Sequence, residues 1–171
     1  MTLRPAVVLA GAMLLPGHAL AQDYPKLKPG LWEMRSRSSI QKAEDPPTVT
    51  TMCIDDATAR AMYRHSQGVM DGMCSKFDVR HTGNRYVSEA VCKLGDSRMV
   101  ARSTMTMSGD SAYTIEGSST YDPPLMGVRE ATTTVRARHV GPCKPGQKPG
   151  DITTPDGQTI NLHNLAPAPA K

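Results

Sequence analysis

The sequence predicts a mainly β protein, an antiparallel meander of about seven strands forming a curled sheet or partly open barrel, with one short helix. Three observations predict it. Short stretches of alternating apolar and polar residues, rich in β-branched types, recur along the chain. Turn signals separate them: Pro29-Gly30, Gly83-Asn84, Ser108-Gly109-Asp110 and "YDPPLMG". A single stretch, "DDATARAMYRHSQG", carries a helical period.

The chain opens with one basic residue, Arg4, an apolar run from Ala6 to Leu15, the helix-breaking Pro16-Gly17 and the triplet Ala19-Leu20-Ala21. This is the pattern of a secretory signal peptide over residues 1–21, with cleavage after Ala21. The apolar run is too short for a permanent anchor. Residues 22–143 read as one β-rich domain, and residues 144–171 as a turn-rich C-terminal segment ending in a disordered tail, "LAPAPAK". Loss of Arg4 lowers the formal net charge of +4 by one. The remaining basic residues form no runs, so the concentrated stripe that nucleic-acid binding needs is missing.

The elements follow in order. "LKPGLWEMRSRSSI" turns at Pro29-Gly30 and enters a strand from Leu31 to about Ile40, with Trp32, Met34 and Ile40 on its inner side. "TVTTMC" is a short return strand from Thr48 to Cys53. Asp55 then caps a helix whose inner stripe is Ala59, Met62, Tyr63 and Ser66, with Gly68 ending it. Asp56 and Arg60 form an outer i, i+4 pair on this helix.

"CSKFDVRHTGNRYVSEAVC" is a hairpin from Cys74 to Cys92 with two available registers. A two-residue Gly83-Asn84 turn places Phe77 and Val79 on one face and Val87 and Val91 on the other. A three-residue loop, Thr82-Gly83-Asn84, gathers all four apolar residues on one face. A one-residue slip moves a strand's side chains to the opposite face, so the hydrophobic pattern favours the three-residue loop. That register sets Cys74 opposite Cys92 on the polar face and Glu89 opposite Phe77 on the inner face, where a carboxylate needs a partner or an exposed sheet edge.

A second hairpin follows. Met99, Ala101, Met105 and Met107 lie on one face of its first strand, and Tyr113 and Ile115 share a face on the return. A long strand, "VREATTTVRARHV", closes the meander.

All four cysteines lie beyond the signal peptide, an even count that reads as two disulfides made in an oxidising compartment. No CxxC or HxxxH pair offers zinc its usual spacing. The hairpin register pairs Cys74 with Cys92 and leaves Cys53 to Cys143. The competing connectivity is Cys53 to Cys74 with Cys92 to Cys143.

"KPGLWE" near the mature start, a cysteine leading into a short helix, two central strand cysteines and a late "GPC" occur in this order. In that ordered set the chain resembles domain-of-unknown-function family 3617, from Lys28 to about Cys143. The resemblance implies export in a Gram-negative bacterium and a β-rich domain. It brings no catalytic residue with it.

The expected function is that of a periplasmic or secreted, non-enzymatic domain binding an apolar ligand or envelope component, without a cofactor. Curled sheets offer a concave, mostly apolar face for such a ligand. Trp32, Tyr63, Met105, Met107, Tyr113 and Ile115 are the expected wall. The alternative is Cu(I) binding by the thioethers of Met105 and Met107, soft ligands suited to that ion. Against it, methionine fills a core that holds a single Phe and a single Trp. A structural envelope protein without a small ligand is the third reading. Neither HExxH nor GxSxG is present, so no residues stand out for metalloprotease or serine-hydrolase chemistry.

Overall fold

The structure, a computed structural model, describes residues 24–165. The segment expected to be a signal peptide and the end of the tail lie outside the described residues. The chain forms β1 (Gly30–Ser38), β2 (Thr48–Ile54), α1 (Asp56–Met73), β3 (Cys74–Thr82), β4 (Arg85–Leu94), β5 (Ser97–Ser108), β6 (Ala112–Leu125), β7 (Val128–Gly141), β8 (Asp151–Thr153) and β9 (Thr159–Asn161), and ends in a 3₁₀ turn, Leu162–Asn164. All pairings are antiparallel, in one nine-stranded sheet of order β3-β4-β5-β6-β7-β1-β2-β8-β9. The sheet does not close, since β3 and β9 are its edges. The meander from β3 to β7 matches the sequence expectation. The β1–β2 hairpin adds beside β7, and β8 and β9 carry the sheet past Cys143 into the turn-rich segment.

This order fixes the place of the helix. β2 and β3 are consecutive in the chain but six strand intervals apart in the sheet. At about 4.8 Å per interval the distance is roughly 29 Å. An 18-residue helix is roughly 27 Å long at about 1.5 Å per residue. α1 therefore crosses the face of the sheet as a chord, packing Ala59 near β2 and Met70 near β3 and β4.

The helix begins where the sequence places it. The Asp55 side chain accepts a hydrogen bond from the Thr58 backbone N–H at 2.7 Å. Its far end differs from expectation: Gly68 is interior, and α1 runs on to Met73, where the Cys74 N–H caps the Met70 carbonyl. A mid-helix glycine costs about 1 kcal/mol. Packing of Met70 against the buried cluster of Cys74, Ala90 and Cys92 holds the last turn despite it.

Both disulfides form as the sequence register pairs them, Cys53–Cys143 and Cys74–Cys92. They flank the helix, one two residues before its cap and one directly after its last turn.

The hairpin register itself is corrected. Thr82 pairs with Arg85 across a two-residue Gly83-Asn84 turn, with Gly83 at φ +61°. Phe77 then faces Ala90, Val79 faces Ser88, and Asp78 faces Glu89. A register shift between Cys74 and Lys76 restores Cys74 opposite Cys92, and both sulfurs lie buried on the concave side rather than on a polar face. Uninterrupted pairing would not allow a two-residue turn and paired cysteines in one hairpin. One bulge changes the parity of the strand and allows the tighter turn and the cysteine pairing together.

Glu89 consequently points to the convex face, between Lys76 and Arg102. Hydrogen bonds from Arg102 and then Lys76 hold its carboxyl below the usual range. Ile40 is also corrected, since it lies past the end of β1 and is 64% exposed.

The core is the concave face beneath the helix: Trp32, Met52, Ile54, Ala59, Met107, Tyr113 and Ala137. Trp32 is fully buried at 0% exposure. Gly30, just before it, sits at φ +136°, and a Cβ there would run into the Gly141 carbonyl and the His139 ring. The glycine of "KPGLWE" thus permits the close approach of β1 to the end of β7.

Asp55→Ala is expected to lower stability by about 1 kcal/mol at neutral pH. In the folded chain its carboxyl is held below its usual range, chiefly by the Thr58 side-chain and backbone hydrogen bonds. The contribution is therefore complete above about pH 4 and is lost as pH falls through the folded value. Urea denaturation of both proteins at pH 7 and pH 3 checks this: the difference should shrink at the lower pH.

Candidate functional site

The helix and the sheet do not meet along their full length. Beneath the first turns of α1 lies a cavity of about 260 Å³. Ala59, Met62, Tyr63 and Ser66, the stripe expected from the helical period, form its roof. Met105 of β5 and Tyr113 and Ile115 of β6 form its floor, with Met105 directly paired to Ile115 in the sheet. Tyr24, Pro25 and Leu27 close its side. The walls are overwhelmingly apolar, with hydroxyls at Tyr24, Tyr63, Ser66 and Tyr113.

The closing segment, Tyr24 to Lys28, is an extended strap. The Lys28 N–H donates to the Asp110 carbonyl at 2.8 Å, and the Trp32 indole N–H donates to the Lys28 carbonyl at 2.9 Å. The Tyr24 and Tyr63 rings lie 5.9 Å apart, joining strap to helix. A hydrogen bond that Arg60 donates to the Tyr24 oxygen also raises the guanidinium pKa above its ordinary value.

Tyr113 is the most deeply set polar residue of the wall, at 7% exposure. Its ring lies against Trp32, with centroids 5.7 Å apart. Burial pushes its phenol pKa up. Among the described residues its hydroxyl takes no hydrogen bond, and the residue lines the cavity.

On the far side of Tyr24 and Pro25 lies a second cavity, of about 410 Å³. Its walls are Lys26, His81, Asn84, Tyr86, Met107 and Asp110, with two turn glycines. His81 and Tyr86 stack with ring centroids 4.1 Å apart and 10° between planes. The Asn84 side-chain amide donates to the Met107 carbonyl at 2.8 Å, fastening the β3–β4 turn to β5.

Four of the expected wall residues, Tyr63, Met105, Tyr113 and Ile115, line the first cavity. Met107 lines the second. Trp32 lines neither and backs Tyr113 from the core. Met105 and Met107 share a strand face, and each lines a different one of the two cavities. Among the described residues no group of three or more His, Cys, Asp or Glu side chains could hold a metal. His139 Nε2 bonds the Pro29 carbonyl at 3.1 Å, and His163 Nε2 lies 3.4 Å from the Thr58 hydroxyl, both contacts within the scaffold.

Sequence reasoning missed the strap and the stacked platform. "DYPKLK" has no periodicity to mark it as a wall. His81 and Tyr86 meet only in the two-residue turn register.

The fold and site define a disulfide-bonded antiparallel sheet, bridged by one helix over a small apolar cavity. The chain belongs to the family described as "Protein of unknown function (DUF3617)", which matches residues 27–143. The matched span runs from the strap to the last cysteine and includes both disulfides. Comparison with curated proteins and with solved structures returns no match. Among the described residues, no helix is long and apolar enough to cross a membrane.

Tyr113→Phe is expected to leave stability within about 0.5 kcal/mol, because the hydroxyl has no partner to lose. Tyr113→Ala should cost about 3 kcal/mol or more through lost packing on Trp32. Chemical denaturation followed by the emission of the single tryptophan measures both.

Proposed function

We propose that this is an exported, non-enzymatic binding domain whose ligand is a small apolar molecule held in the cavity between α1 and strands β5 and β6. The observation that carries the reading is that cavity: concave, apolar and lined by three separate parts of the chain. Ligand sites are typically of this kind, with a few polar groups among apolar walls. At about 30 Å³ per water, its 260 Å³ equals roughly nine waters. That is the scale of one alkyl chain and falls short of two. Two disulfides, the signal-peptide pattern and the family resemblance favour the periplasm as its compartment.

Native mass spectrometry of the protein, exported to a periplasm and purified gently, tests the reading. A retained mass of lipid scale is expected, and Met62→Trp, which fills the roof of the cavity, should abolish it while the circular dichroism spectrum is kept. A bare polypeptide mass with both disulfides formed contradicts the reading. A copper adduct lost on replacing Met105 and Met107 with leucine also contradicts it, in favour of the metal alternative.

A further inference from the structure

The two cavities share Tyr24 and Pro25 as their common wall, yet their chemistry differs. One is an alkyl-sized apolar chamber. The other has room for a polar group and carries Lys26 and Asp110 on its walls. Among the described residues neither of these charges is in an ion pair, and they do not pair with each other. Opposite charges that line one space without meeting are complementary to a guest that carries both signs. A phosphate, or another anion, would sit at Lys26 and an ammonium at Asp110. His81 and Tyr86, stacked on each other, line the same space.

We infer that the ligand is a single-chain amphiphile with a zwitterionic head, the chemistry of a lysophospholipid, its chain beneath α1 and its head between Lys26 and Asp110. This rests on the apolar-ligand reading above and adds the head group to it. The strap is then the saddle over which the molecule bends, with the chain on one side of Tyr24 and Pro25 and the head on the other. The assignment separates two contributions. The apolar chamber should bind any probe with the right tail, and the charged cavity should choose among heads.

The test uses four probes with the same twelve-carbon tail, each below its critical micelle concentration: dodecylphosphocholine, dodecyl sulfate, dodecyltrimethylammonium and dodecyl maltoside. Trp32 reports binding, since it is the single tryptophan and lies against Tyr113 of the chamber floor. Dodecylphosphocholine should bind about tenfold more tightly than each of the others. Lys26→Met and Asp110→Asn, both at exposed positions, should each weaken it about tenfold and leave dodecyl maltoside unchanged. Equal binding of all four probes, or a preference for either singly charged head, overturns the head assignment while the apolar chamber stands. Binding by none of them, confirmed by calorimetry, overturns the chamber as well.

Discussion

Because β2 and β3 are consecutive in the chain but six intervals apart in the sheet, the segment between them has to cross the concave face. Its length has to match the sheet's width. α1 meets this requirement with 18 residues, and each end is fixed by more than one means. At the start, Asp55 caps the helix and Cys53 is bonded to Cys143. At the end, Met73 passes directly into β3 and Cys74 is bonded to Cys92. Each disulfide closes a loop in the unfolded chain, with a sequence separation of 90 for the first and 18 for the second. On the chain-entropy model the longer one constrains the unfolded chain more.

A straight helix across a curled sheet cannot touch it everywhere. The ends of α1 pack on β2 and on β3 and β4, and the cavity lies between its inner stripe and strands β5 and β6. Methionine suits such a boundary, because its flexible thioether fills irregular space. Met62, Met105 and Met107 lie along it. The strap completes what the helix leaves open, and it is positioned by two backbone carbonyls, those of Asp110 and Lys28. The cavity is therefore a consequence of topology, and its apolar character comes from the alternation of β5 and β6 and from the inner stripe of α1.

That alternation and that stripe were legible in the sequence because each is a local periodicity. Met105, Tyr113 and Ile115 follow the period of two, and Ala59, Met62, Tyr63 and Ser66 follow that of the helix. The pairing of Cys74 with Cys92 was also legible, although the register used to reach it was not the one adopted. A bulge leaves no periodic mark, so the compensation between a two-residue turn and a shift beside Cys74 could not be read. Val79 shows the consequence: it was expected inside a four-residue apolar face and is instead 42% exposed on edge strand β3. The placement of β1 between β7 and β2 depends on contacts distant in sequence, such as Glu33 with Arg138. The strap depends on hydrogen bonds that its own residues do not announce. Both escape a reading that works within one segment at a time.

The central claim is that α1 lies as a chord over β5 and β6 with the apolar cavity between them. Nuclear Overhauser contacts in protein carrying labelled methionine and isoleucine methyl groups test it most directly. The account predicts cross-peaks from the Tyr63 ring to the Met105 and Ile115 methyls, together with protected amide hydrogens along α1. A protected helix with no contacts to either methyl group would contradict it.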